Sequence, residues 1–273
     1  MKKLTINRQV EKKIHKGYKI LEKIDFGQLP FDNEVVELVT TSGHFVGTGY
    51  LSEQNKGLGW VISTKKITLD QDYFCHIFAE AKSKRQSYYQ SELDTAFRIF
   101  NQEGDGFGGL TIDLYEDYAV FSIYNAFVYQ IRDLIVAAFQ EVFPEVLGGY
   151  EKIRFKDPGY ESAHLFGQEA PETFCILENG VRYQVFLNDG LMTGIFLDQH
   201  EVRASLVDGL ATGKTLLNMF SYTAAFSVAA AMGGALETTS VDLAKRSREL
   251  SEAHFLANGL ELDQHRFIVM DVF

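Results

Sequence analysis

The chain has 273 residues, 46% of them hydrophobic and 23% charged, which is ordinary for a globular protein and enough for two or three modest cores. Thirty-seven acids against 26 Lys plus Arg give a formal net charge of −11, so charge alone argues against a general nucleic-acid binder. There is no run of about 18 apolar residues to cross a membrane, and Cys75 and Cys175 lack metal-ligand spacing.

The first 19 residues, MKKLTINRQVEKKIHKGYK, are basic with no apolar core behind them, so no secretory signal is expected, and the lone thiols fit a reduced, cytoplasmic setting. Residues 1–25 hold eight Lys or Arg against three acids. That local excess reads either as a solvated lysine-rich end or as an arm that touches phosphates. Residues 8–25 carry a weak helical pattern with Val10, Ile14, Tyr18 and Leu21 near one face, and Pro30 with Asp32-Asn33 then punctuates. From Glu34 the period becomes two. EVVELVTTSGHFVGTGYLS is two strands around a turn that holds His44, and GLGWVISTKK is a third with Trp60 in the core. Short strands at this spacing suggest a small barrel.

Residues 71–95 return to a helical pattern, with Phe74, Ile77, Phe78 and Ala81 on one face and His76 beside it as a core histidine. Lys82, Lys84 and Arg85 follow, suited to a helix C-terminus or to phosphate contact. AFRIFNQEGDGFGGLTIDLYEDYAVFSIYN is strand, glycine-dense turn, strands. The turn is no phosphate cradle, because Glu103 and Asp105 occupy it and a strand follows. A helix over 127–143 and a strand over 146–155 complete an α+β module. The polar stretch 157–174 is the expected domain boundary, and CILENGVRYQVFL is a hairpin with a type I′ signal at Asn179-Gly180.

A cluster of Thr193, Gly194, Phe196, Asp198, Gln199, His200, Glu201 and Arg203 comes next. Asp198 can cap a helix starting near Gln199, or the cluster can close a ligand pocket. Thr215 to Asp242 is a strand–turn–helix–strand unit, with an acid about 20 residues past the turn, placed either for ribose hydroxyls or, in a plain buried βαβ unit, as the N-cap of the next helix. The turn lacks G-x-G-x-x-G, so a nucleoside without a pyrophosphate suits it better than a dinucleotide, and an NAD-dependent oxidoreductase is disfavoured. A helix over 244–258, stopped by Gly259, leads to a third strand, 266–270, and Asp271. In a parallel sheet Asp242 and Asp271 share the ligand-bearing edge, one for a ribose and one for an adenine amine.

GIFLDQHEVR (194–203), LLNMFSYTAAFSVAAAMGGA (216–235), SVDLAKRSRELSEAHFLANGL (240–260) and FIVMDVF (267–273) together resemble one family. It is the class I S-adenosylmethionine-dependent methyltransferases of the large-subunit ribosomal RNA methyltransferase I type, which make 5-methylcytosine. The resemblance implies an α/β protein with small β-barrel and α+β modules: a PUA-like RNA-binding domain at 1–70, a middle domain at 71–172 and part of a Rossmann-like methyltransferase domain at 173–273. It implies that Phe196, Asp198, Gln199, Asn218, Phe220, Ser221, Tyr222 and Thr223 lie on the cofactor side. Asp242 would hold the ribose and Asp271 face the adenine.

The implied cofactor is S-adenosyl-L-methionine and the implied partner ribosomal RNA, with no membrane and with a homodimer left open. Three departures stand out. Ala224-Ala225 replaces the family's Gly-Gly, His200 replaces its Arg, and the D-P-P-S-F motif and nucleophilic Cys are not among the 273 residues. The resemblance therefore implies a truncated chain with no catalytic residue of its own and an open, apolar third strand. The other reading, from a different class, is a non-catalytic RNA-binding fragment that uses the barrel and the basic arm.

Overall fold

A computed structural model describes residues 1–26, 33–54, 57–156 and 158–273. The punctuation read at Pro30 and Asp32 lies outside the described residues, as does Asp157. The chain divides into two compact units, the first formed by 1–86, 98–113 and 119–167 and the second by 87–97, 114–118 and 168–273. Residues 1–70 and most of 71–172, read as two domains in the sequence, thus share the first unit.

In the first unit β1 (Lys2–Ile6), β2 (Ile20–Glu22), β3 (Val35–Thr40), β4 (Phe45–Gln54) and β5 (Gly57–Ser63) form one sheet in the order β1-β3-β4-β5-β2. β1 runs parallel to β3 and the other pairs are antiparallel. Helix α1 (Arg8–His15) is capped by Asn7, whose side chain accepts from the N–H groups of Gln9 and Val10. It buries Val10 and Ile14 against Leu21, Val36, Leu38, Leu51 and Val61. The helical pattern read over 8–25 therefore stops early. Gly17 takes φ +91°, Tyr18 is exposed, and Leu21 reaches the core from β2, followed by the short α2 (Lys23–Phe26).

Helices α3 (Gln71–Lys84) and α4 (Gln86–Tyr89) come next. Phe74, Ile77, Phe78 and Ala81 are buried as their spacing predicts. His76 is not a core residue. Its side chain is 70% exposed, 3.5 Å from Glu80 one turn on. A second sheet has the order β10-β9-β8-β7-β6. Its strands are β6 (Ala96–Asn101), β7 (Leu110–Tyr115), β8 (Tyr118–Ile123), β9 (Gly148–Ile153) and β10 (Ser162–Gly167). Between β8 and β9 lie α5 (Ala126–Gln130) and α6 (Arg132–Val142).

The stretch 157–174, read as a connector, contains β10, antiparallel to β9. Tyr50 of β4 donates to the Gly108 carbonyl at 2.9 Å and accepts from Asn125 at 3.0 Å, which satisfies a fully buried hydroxyl. A Cβ on Gly108 would meet the Trp60 ring at 2.2 Å, so glycine is needed there for space.

In the second unit β11 (Phe174–Glu178) and β12 (Val181–Val185) form the expected hairpin. Both turn residues have positive φ, +53° at Asn179 and +75° at Gly180, the type I′ signature. Helix α7 (His200–Ser205) leads through 206–210 to β13 (Thr215–Met219), α8 (Ala225–Met232), β14 (Glu237–Asp242), α9 (Lys245–Ala257) and β15 (His265–Val269). The three strands are parallel, in the order β13-β14-β15. Ala229 and Ala230 of α8 pack with Leu206 and Ala211, where small side chains let helix and neighbouring chain approach closely. Among the described residues no helix is long and apolar enough to cross a membrane.

Candidate cofactor site

The loop from β13 to α8 is Phe220-Ser221-Tyr222-Thr223-Ala224. Phe220, Tyr222 and Ala224 take φ of +57°, +51° and +58°, an alternation of left-handed residues with no glycine among them. Each such residue costs about 1–2 kcal/mol, so the surroundings must hold the loop. They do so at Ser221, Tyr222 and Thr223. The N–H of Ser221 donates to the Val241 carbonyl at 3.0 Å, and that of Tyr222 to Asp242 Oδ2 at 2.7 Å. Asp242 Oδ1 accepts from the Ala244 N–H at 3.0 Å, so one carboxylate ties the loop to the start of α9.

Tyr222 and Thr223 also clamp Gly194 through both its backbone groups. The Gly194 N–H donates to the Tyr222 hydroxyl at 3.1 Å, and Thr223 Oγ1 donates to the Gly194 carbonyl at 2.6 Å. Gly194 has φ +101°, and a Cβ there would lie 2.8 Å from the Gln184 carbonyl oxygen. Behind the loop, the ring nitrogens of buried His254 lie 2.9 Å from the carbonyl oxygens of Thr223 and Gln184. Burial pushes this imidazole below its ordinary value, while the two carbonyls favour the proton. Burial likewise raises the Tyr222 hydroxyl.

The segment from Ile195 to Arg203 forms the facing side. Arg203 is 1% exposed and makes a fork on Glu178, itself fully buried, with Nη2 to Oε2 at 2.7 Å. The same Nη2 donates to the Phe196 carbonyl at 2.7 Å, fixing where that residue turns. His200 finds a partner despite the exchange from Arg, since Nε2 lies 2.9 Å from Asp94 Oδ1. Burial would raise the Asp94 carboxyl, but the Asn179 N–H, His200 and Ser91 hold it below its usual value. Asp198 does not cap α7. A 3-10 turn over Leu197–Gln199 precedes the helix, Gln199 stands at the cap without capping it through its side chain, and Asp198 is exposed.

These two segments enclose a cleft of about 230 Å³. Seven residues read from the sequence line it: Phe196, Asp198, Gln199, Phe220, Ser221, Tyr222 and Thr223. The rings of Phe196 and Tyr222 are 5.4 Å apart. Three others are not among its lining residues. Asn218 turns its amide to Ser227 Oγ at 3.0 Å on α8, and Asp242 is spent in part on the loop. Asp271, exposed just past β15, accepts from the Phe273 N–H at 3.1 Å. Ile195, Arg203, Ala225 and Phe226 also line the cleft. The buried Arg203–Glu178 pair has one sequence signal: Glu178 shares strand parity with buried Ile176, so its carboxylate faces inward and needs a cation.

A family model for S-adenosylmethionine-dependent methyltransferases matches residues 152–273, and one for a PUA-like domain matches residues 4–64. YwbD of Bacillus subtilis (strain 168), named provisionally as a ribosomal RNA large subunit methyltransferase, is 42% identical over the whole of this chain and 71% of its own length. The chain belongs to the S-adenosylmethionine-dependent methyltransferases. Ribosomal RNA large subunit methyltransferase I of Aeromonas salmonicida (strain A449) is 33% identical over 89% of the chain, which spans 63% of that relative. Among solved structures, a provisionally titled S-adenosylmethionine-dependent methyltransferase from Streptococcus mutans superposes with a TM-score of 0.97 at 60% identity, covering all of this chain and 72% of that one. SMU.776, crystallised as a complex with SAH, matches with the same TM-score and identity over 71% of its length. The cofactor of this family is S-adenosylmethionine.

Proposed function

We propose that this chain carries the cofactor-holding part of a methyltransferase that acts on large-subunit ribosomal RNA, at carbon 5 of cytosine. The observation that carries the reading is the cleft between Phe196–Gln199 and Phe220–Thr223, at the carboxyl end of a parallel strand where α/β folds bind nucleosides. The residues fit the cofactor chemically. Aromatic walls suit a sulfonium and an adenine, Asp198 offers an exposed carboxylate to a cation, and Asp242 keeps acceptor capacity for ribose hydroxyls beyond its two N–H bonds. Asp271 at the next strand end is the proposed partner of the adenine.

S-adenosylmethionine supplies the methyl group on a sulfonium whose positive charge is lost on transfer. Attack by carbon 5 of cytosine needs a thiolate to add to the ring first. Neither cysteine lines the cleft: Cys75 on α3 points its thiol at the Ala138 carbonyl, and Cys175 is exposed on β11. The two relatives named by RNA substrate are longer than this chain, and neither cysteine here is proposed as that nucleophile. Reduced and cytoplasmic conditions are part of the same proposal.

Calorimetry with S-adenosylmethionine tests the reading. Micromolar binding that is lost in Asp242→Asn and weakened in Phe196→Ala is expected. Absence of binding both by this chain and by a form extended to its relatives' length would defeat it. The competing view, an RNA-binding fragment without a methyl donor, predicts no cofactor binding in either form.

A further inference from the structure

We infer that the first unit holds a stacking site for single-stranded RNA, built by Tyr129, Arg132 and Tyr160 around the buried carboxylate of Glu151. The choice of RNA rests on the methyltransferase reading, while the site uses none of the cleft residues.

Four side chains close a ring here. The Arg132 guanidinium lies over the Tyr129 ring, 4.1 Å from its centroid, and Nη1 donates to the Tyr129 carbonyl at 3.1 Å. The Tyr129 and Tyr160 hydroxyls are 2.9 Å apart, and Tyr160 donates onward to Glu151 Oε1. Glu151 is 3% exposed on β9, and its other oxygen, without a hydrogen bond, lies 3.7 Å from Arg132 Nε. Burying a carboxylate is costly, and its partners are groups that reach the surface: Tyr160 is 37% exposed and the Arg132 side chain 31%. The arrangement freezes two planar groups at the surface before any ligand arrives. A ligand then avoids ordering cost for each plane it meets.

Preset tyrosine and guanidinium planes are the chemistry that stacks unpaired bases. Exposed Arg154 and Lys156, on the segment between β9 and Tyr160, can meet the phosphates that accompany those bases. Asp133, 92% exposed and 3.8 Å from Arg132 Nε, and exposed Glu161 offset them, so the patch is close to neutral. Stacking, rather than charge, therefore carries the binding, and duplex RNA, whose bases are already stacked, is excluded. Residues 65–151, which supply three of the four ring members, fall between the two family-model matches.

The test is fluorescence anisotropy of the 273-residue protein with a labelled, unstructured oligoribonucleotide of about 12 nucleotides. Tyr160→Ala is expected to weaken binding by roughly 5- to 150-fold, the effect of losing one stacked base. Tyr160→Phe keeps the ring and loses only the ordering that the hydroxyl supplied, a cost of about threefold, whereas Arg132→Lys keeps the charge, loses the plane and weakens binding about tenfold. With at most three cations engaged, log affinity against log salt falls no more steeply than about −2. Should Tyr160→Ala disturb folding, as circular dichroism would reveal, the contrast between Arg132→Lys and Tyr160→Phe decides.

No RNA binding by the wild type, unchanged affinity in Arg132→Lys and Tyr160→Ala, equal affinity for duplex, or a much steeper salt slope would each overturn the inference. Calorimetry of S-adenosylmethionine on the same samples separates the two readings: intact cofactor binding with RNA affinity indifferent to Tyr160 removes this site and leaves the methyltransferase standing.

Discussion

Strands β4 and β13 are both rich in apolar or small residues, yet they live in opposite environments. β4 is buried along seven consecutive positions, from Val46 to Ser52, while β13 alternates, with Leu217 and Met219 62% and 52% exposed. The difference lies in what covers each strand. β4 has neighbours on both edges, β3 and β5, and core residues against it; among the described residues β13 has a strand neighbour on one edge, β14, and is packed by α8 on one face. The first unit therefore closes its own cores, whereas the sheet that carries the candidate cofactor loop presents apolar side chains, Phe220 and Phe273 among them, to solvent.

A pair of matched truncations breaks or sharpens this contrast most directly. Leu51→Ala in β4 is expected to cost 2–5 kcal/mol, on the order found for buried leucines, and Leu217→Ala less than about 0.5 kcal/mol. Urea unfolding followed by fluorescence measures both. If Leu217→Ala costs as much as Leu51→Ala, the outer face of β13 is covered in solution and the contrast collapses. A smaller effect of opposite sign is expected at Ala224, buried at φ +58°: Ala224→Gly should stabilise by about 1 kcal/mol, because glycine adopts that conformation without the Cβ penalty. A loss of stability in Ala224→Gly would mean the methyl group packs well enough to outweigh its strain.

The two units should also differ in acid. In the second unit, burial keeps the His254 proton affinity below that of the unfolded chain. The unfolded state then binds the proton more readily, so stability falls as pH drops below the ordinary histidine value of about 6.5. In the first unit, burial opposes the charge on Asp105, but Arg85, the Asn101 N–H and Lys84 prevail and hold its carboxyl below the usual value. That contribution is full above the unfolded value, 3.8, and is lost only as pH falls through the lower folded one. Hydrogen exchange read separately for α9 and for the 98–113 segment, between pH 7 and about 4, should show the second unit loosening first. His254→Gln should remove the upper part of that pH dependence, and its persistence would reassign the effect.

Much of this was legible because strong periods survive in short windows. The β13–α8–β14–α9–β15 succession and the Asn179-Gly180 hairpin follow from apolar runs, small-residue turns and a glycine pair position. β1 was not legible, since KKLTI is five residues with one buried side chain, and its strand character comes from pairing with β3. β10 was hidden for a related reason: every residue of it is half-buried or exposed, so its composition imitates a loop. The 8–25 stretch misled because Leu21 fits a helical stripe and reaches the same core from a strand. At the site, residue types pointed to the two segments, but the left-handed turns at Phe220, Tyr222 and Ala224 contradict local preference and exist only because Asp242 and neighbouring backbone groups impose them.

Asp242 has an evolutionary consequence. One carboxylate both shapes the loop and, in the proposed role, meets the ribose, so the two tasks cannot be tuned separately at this position. A lineage that exchanged Asp242 for another acceptor would have to re-form the Tyr222 turn in the same step. Change in ligand preference has easier routes at Phe196, Asp198 and Gln199, whose side chains face the cleft without holding the loop backbone in place.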